Sequence, residues 1–193
     1  MLGLKLPTDP RWVNIAEKNV QEILTDHAFC EQKATSTAIS LIVSFPEYPE
    51  LVEAMIALVK EEISHFKMVH DKILARGWTL GRDRKDEYVV RLTQFFPKGG
   101  SRTTQLTHRL LYAALIEARS CERFKLLSEH MEDQELATFY RNLMVSEANH
   151  YTMFLGFARQ YGNREEVDKK WQSLLDFEAE IMKDLGKKET MHG

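Results

Sequence analysis

The sequence predicts an all-α fold, a four-helix bundle carrying additional short connecting and C-terminal helices. Three observations lead there. Breakers are scarce, with 9 Gly and 5 Pro in 193 residues, and low breaker content favours helices. They also cluster: none occurs from Arg11 to Phe45, from Glu50 to Arg76, or from Ser101 to Leu155. Within those stretches apolar residues recur every three or four positions, and no strand-like alternation stands out.

Taken in order, Asp9 before Pro10 fits a helix start, with Pro at the first helical position. The helix it opens is expected over about 11–45, with a seam of Val20, Leu24, His27, Glu31, Ala34, Ala38 and Leu41. Pro46 and Pro49 end it. A second helix over about 50–76 carries Leu51, Met55, Leu58, Glu62, His65, Val69 and Ile73, and stops at Gly77. A shorter connecting helix is expected within Asp86–Phe96. The third long stretch exceeds one helix and should turn at the polar Ser128–Gln134. Its halves, about 101–129 and 133–161, carry two more seams. One is Leu106, Leu110, Ala113, Glu117, Ser120, Phe124 and Leu127. The other is Ala137, Tyr140, Met144, Glu147, His150, Phe154 and Phe157, before a stop at Gly162. Glu165–Leu185 reads as a further amphipathic helix, and residues 187–193 as a disordered tail. One domain over 1–193 is expected, large enough to bury roughly 70% of the unfolded chain's surface.

Composition narrows the class. Hydrophobic residues make up 44% and charged residues 28%, a globular balance. A net charge of −3 and pI of about 6.2 give no global sign of nucleic-acid binding. The distribution is uneven, however. Tyr88–Ile116 contains no Asp or Glu but holds Arg91, Lys98, Arg102 and Arg109, whereas the C-terminal region is acidic. Cys30 and Cys121 form no CxxC pair and suggest a reducing compartment. The N-terminus does not read as a secretory signal, and the longest apolar stretch, Ala38–Phe45, is too short to cross a bilayer. A cytoplasmic protein is expected.

The seams contain charged groups where a bundle should place Leu: Glu31 in the first, Glu62 with His65 in the second, Glu117 in the third, and Glu147 with His150 in the fourth. An isolated buried carboxylate costs several kcal/mol or changes its protonation state, and four inward carboxylates would repel one another. A pair of metal cations resolves both problems. A lone Glu-x-x-His tetrad is weak evidence, because a third, Glu189–His192, sits in the expected disordered tail. The arrangement is stronger. Glu31 precedes Glu62 by 31 residues and Glu117 precedes Glu147 by 30, so the halves repeat at offsets of 86 and 85.

Residues i and i+3 share a helix face, so Glu and His of each tetrad reach the same centre. Four Glu and two His on four helices is the donor pattern of ferritin-like di-iron and di-manganese bundles. Carboxylates with imidazoles suit iron or manganese, which leaves the cysteines as small core residues. A buried ion-pair network is the competing reading for any one Glu–His pair. Glu122 rivals Glu117 on the third helix but breaks the half-repeat spacing. His27, one turn before Glu31, fits either a group supporting a ligand or a hydrogen-bonded core histidine.

With these residues in place, the sequence resembles the MiaE family of tRNA hydroxylases. The resemblance rests on the six-residue frame and its flanks: residues 27–34 (HAFCEQKA), 61–66 (EEISHF), 114–124 (ALIEARSCERF) and 146–151 (SEANHY). It implies a ferritin-like, non-haem di-iron monooxygenase that hydroxylates the isopentenyl group of 2-methylthio-N6-isopentenyladenosine beside the anticodon. Glu31 and Glu117 would then be mainly terminal ligands, Glu62 and Glu147 would be available to bridge, and His65 and His150 would bind one iron each. O2 is the implied co-substrate, and a separate reductase the implied electron donor. For the RNA backbone, Lys98–Arg102 is the candidate phosphate-facing loop. Arg82, Arg84 and Lys85 fit less well, being offset by Asp83, Asp86 and Glu87. The alternatives are a dimanganese catalase or rubrerythrin-like peroxidase on the same donor frame, and a metal-free helical interaction module anchored by Trp12, Trp78 and Trp171. No membrane partner is expected.

Overall fold

The computed structural model describes residues 2–185 and 190–192. Among them are seven helices and no strand: α1 (Trp12–Lys18), α2 (Val20–Ser44), α3 (Pro49–Ala75), α4 (Glu87–Thr93), α5 (Arg102–His130), α6 (Gln134–Tyr161) and α7 (Arg164–Asp184). No helix of the described residues is long and apolar enough to cross a membrane. The chain divides into two compact units. One comprises 1–17, 86–188 and 192–193, and the other 18–85 and 189–191.

In the smaller unit α2 packs along α3. The buried residues of α3 are Leu51, Met55, Leu58, Glu62, His65, Val69 and Ile73, the full seam expected from the sequence. Its C-terminus closes as the spacing predicts. Gly77 takes a φ of 73°, its N–H reaches Leu74 O at 2.9 Å, and Trp78 N–H reaches Ile73 O at 3.1 Å, the paired bonds of a Schellman stop.

The larger unit is built on α5 against α6, with α7 touching α4, α5 and α6. All seven expected seam residues of α5 are buried. In the α6 seam Met144 and Phe157 remain half-buried, and the other five are buried. Ser101 Oγ accepts from Thr104 N–H, Asp133 Oδ1 from Glu135 and Leu136 N–H, and Asn163 Oδ1 from Glu166 N–H. These N-caps fix where α5, α6 and α7 begin.

Two expectations change. The single helix over 11–45 is interrupted at Asn19, whose φ of −134° and ψ of 40° are non-helical. The N-terminal piece α1 buries Trp12, Val13 and Ala16 and starts in the larger unit, whereas α2 belongs to the smaller one. In the tail, 187–189 and 193 lie outside the described residues. Met191 and His192 are buried. Met191 N–H donates to Asp26 Oδ2 at 2.7 Å. The His192 ring stacks on Tyr88 at 5.7 Å and lies 3.0 Å from Ser120 Oγ and 3.4 Å from Asp86 Oδ2.

Candidate metal centre

The smaller unit brings half of the expected donor set together. Glu31 on α2, with Glu62 and His65 on α3, are all buried. Each offers a donor atom within 4.8 Å of the others. The i, i+3 spacing sets His65 Nδ1 3.3 Å from Glu62 Oε2, and the α2–α3 packing sets it 3.8 Å from Glu31 Oε2. His27, one turn before Glu31, places Nε2 2.6 Å from Glu31 Oε1. This imidazole is thus hydrogen-bonded to a candidate ligand from within the core. Glu61 Oε1 lies 3.9 Å from His65 Nε2, a third carboxylate against the same ring.

The larger unit buries the other half: Glu117 on α5, with Glu147 and His150 on α6. Glu117 and His150 offer donor atoms within 4.8 Å of each other. Glu122 is committed elsewhere. One oxygen accepts Thr8 N–H at 2.7 Å; the other accepts Thr8 Oγ1–H and an Arg119 N–H, both at 2.7 Å. Such a saturated carboxylate is a structural anchor, which favours Glu117 as the ligand. Burial pushes the Cys121 thiol up to about 11, and its Sγ–H donates to Met144 O. It behaves as a core residue and not as a thiolate donor. His192 of the third tetrad belongs to the Tyr88 cluster described above.

Both halves present buried oxygen and imidazole nitrogen donors. Buried carboxylates need a compensating charge, and hard oxygen donors with imidazoles suit iron or manganese. The residues present therefore fit a metal centre.

Sequence reasoning missed the ionic hub beside the second half-site. Arg119 is fully buried and donates to Glu178 from Nε and Nη2 at 2.9 and 2.6 Å, to Glu122 at 2.7 Å, and to Leu6 O at 3.0 Å. Tyr88 O–H donates to the same Glu178 oxygen at 3.2 Å. Burial raises the Glu178 carboxyl against the pull of Arg119, and raises the Tyr88 phenol well above its usual range. Arg123, stacked 4.0 Å over Trp12, is lowered to about 9 by burial and then by the like charge of Arg119. In the sequence Arg119 is only a flank of Glu117, and its partners lie up to 113 residues away. Lys98 and Arg102 are exposed. They flank Gly99 and Gly100, whose φ values of 87° and 92° turn the chain into α5.

Comparison with known proteins gives the fold class and the family. A solved structure described as "Protein 43 with aldehyde deformylating oxygenase activity from Synechococcus" matches with a TM-score of 0.91 and 33% identity, over 98% of this chain and 95% of that one. The fold is thus all-α and ferritin-like, the class the donor frame suggested. The family profile "tRNA-(MS2IO6A)-hydroxylase (MiaE)" matches residues 2–193, and the chain belongs to that family of tRNA hydroxylases. Two relatives are each named tRNA 2-(methylsulfanyl)-N(6)-isopentenyladenosine(37) hydroxylase. The protein from Pseudomonas putida is 34% identical, with 93% of this chain and 86% of that one covered; the protein from Salmonella typhimurium is 28% identical, with 93% and 83% covered. The peroxidase, catalase and adaptor alternatives find no support in these matches.

Proposed function

We propose that this protein hydroxylates the isopentenyl group of 2-methylthio-N6-isopentenyladenosine in tRNA, in the cytoplasm, using two irons held by Glu31, Glu62, His65, Glu117, Glu147 and His150. The carrying observation is that all six side chains are buried within a chain that matches the hydroxylase family from residue 2 to 193. Held by this donor set, iron would supply the oxidising chemistry, by which O2, two electrons and two protons turn a C–H bond into C–OH and one water. The protein's own residues do the rest. His27 holds Glu31, Glu61 and Glu62 bracket the His65 ring, and the buried seams keep water from the centre. The electrons come from a separate reductase. Lys98 and Arg102 are proposed to face RNA phosphate.

The test pairs metal analysis with turnover. Iron-grown wild-type protein should hold about two irons per chain, and a Glu62→Ala, Glu147→Ala variant should lose them. With a chemical or enzymatic reductant, the loaded protein should add one oxygen atom to the prenylated nucleoside of tRNA from a hydroxylase-deficient strain. An aldehyde is assayed in parallel because of the solved relative's stated activity. Aldehyde consumption without RNA hydroxylation would overturn the substrate reading, and two manganese ions with rapid peroxide turnover would overturn the chemistry.

A further inference from the structure

At the N-terminal end of α5, the first turns of α5 and α7 meet around a cavity of about 260 Å³. Its lining includes Ser101, Thr103, Thr107, His108, Asn163 and Lys170. All belong to the larger unit. Each helix start leaves first-turn N–H groups without intrahelical acceptors and carries about half a positive charge. Ser101 Oγ and Asn163 Oδ1 each take one of those amides; the dipoles remain.

A second, independent feature lies in the same cavity. The His108 side chain is only 8% exposed and faces the cavity, and its imidazole makes no hydrogen bond with any described residue. Phe96 packs against this ring at a tilt, 5.3 Å between centroids. Beside it Lys170 is held over the Phe95 ring at 5.8 Å. Burial and the Lys170 charge both lower His108 from its usual value, so near neutral pH it is an uncharged ring with one N–H to donate. Glu166 is the one carboxylate in the lining, and it is exposed to solvent. Gly162 shapes the corner: a Cβ there would come within 2.7 Å of Val167 and 2.8 Å of Thr107. Two helix starts, one ammonium, hydroxyls and one unused imidazole make a receptor for a tetrahedral oxyanion.

We propose that this cavity is a phosphate site that seats a backbone phosphate of the RNA substrate, with Lys170 and His108 as its side-chain donors. The assignment to RNA rests on the function proposed above. It extends the Lys98–Arg102 loop, which leads directly into the first turn of α5, from a charged surface segment to a built pocket.

Two probes separate the anion site from its source. Inorganic phosphate is titrated into iron-loaded protein carrying 15N-labelled histidine, and an anticodon stem–loop RNA is titrated by fluorescence anisotropy at fixed salt. Wild type, Lys170→Glu, His108→Gln and the charge-matched control Lys169→Glu are compared, with iron content confirming each fold. The expected result is a saturable shift of the His108 ring resonances with phosphate that Lys170→Glu abolishes. RNA affinity should fall about ten-fold or more in Lys170→Glu, and by clearly less in Lys169→Glu. A His108 ring that phosphate leaves unmoved overturns the site. A phosphate response with equal RNA affinity in the two lysine variants overturns the RNA assignment and makes the pocket a free-anion site. Wild-type protein that fails to bind the stem–loop overturns the substrate reading itself, while the phosphate titration still decides the pocket.

Discussion

The charged groups inside the larger unit divide by what balances them. Glu122 and Glu178 share Arg119, and the three form a buried set with Thr8, Leu6 O and Tyr88. Removing one member strands the others, which costs far more than the set contributes relative to apolar replacements. Arg119→Ala should therefore destabilise the protein by about 3–5 kcal/mol, whereas Arg119→Met with Glu178→Leu and Glu122→Gln should recover much of that loss. Urea unfolding of the two variants checks this, and equal losses would show that the hub acts through shape alone. The ligand candidates were legible in the sequence because a carboxylate on an apolar seam is anomalous by itself, and the 85-residue echo of the tetrad doubles the anomaly. The hub was not legible. Arg119 and Glu122 look like an ordinary i, i+3 surface pair until α7 and the N-terminal segment bury them.

Among the elements, the helices were readable wherever a breaker or cap marked an end, and less so where tertiary packing did. Gly77, Ser101 and Asp133 mark ends by local chemistry. Asn19 interrupts the first helix with neither Gly nor Pro present, because the residues before and after it serve different cores. Met191 and His192 were misjudged for the same reason: their burial comes from Asp26, Ser120 and Tyr88, not from local propensity. Gly162 stops α6 as expected, but its reason is space. Its φ of −99° suits any residue, while an added Cβ would sit 2.9 Å from Ala158 O and closer still to Val167 and Thr107. Gly162→Ala should thus cost roughly 1–3 kcal/mol through overpacking. Gly156, two turns earlier within α6, has nothing within 4 Å of its Cβ position. Gly156→Ala should stabilise by about 0.5–1 kcal/mol through lower backbone entropy in the unfolded chain. Opposite signs in parallel thermal melts check the pair, and a neutral Gly162→Ala would show that the α6–α7 corner yields.

Across the whole chain, each unit contributes one lone glutamate and one Glu-x-x-His tetrad, carried by α2 with α3 and by α5 with α6. Burying those carboxylates opposes folding unless a cation compensates them, so the donor set works against stability until it is loaded. Metal removal should consequently lower the melting temperature. A ligand at a thousand times its dissociation constant adds about 4 kcal/mol to a folded state, which for a chain of this size corresponds to roughly 10 °C. The glutamine variants give the sharper test because the sign reverses. Glu62→Gln with Glu147→Gln removes two buried charges, so the metal-free variant should melt at or above the metal-free wild type while gaining nothing from iron. An ordinary ion-pair network predicts the contrary: chelation would leave wild type unchanged, and glutamine would lower its melting temperature by breaking pairs that hold the core together. Calorimetry on chelated and iron-reconstituted samples of both proteins separates the two. A wild type indifferent to iron would remove the metal centre, and with it the hydroxylation chemistry proposed for this chain.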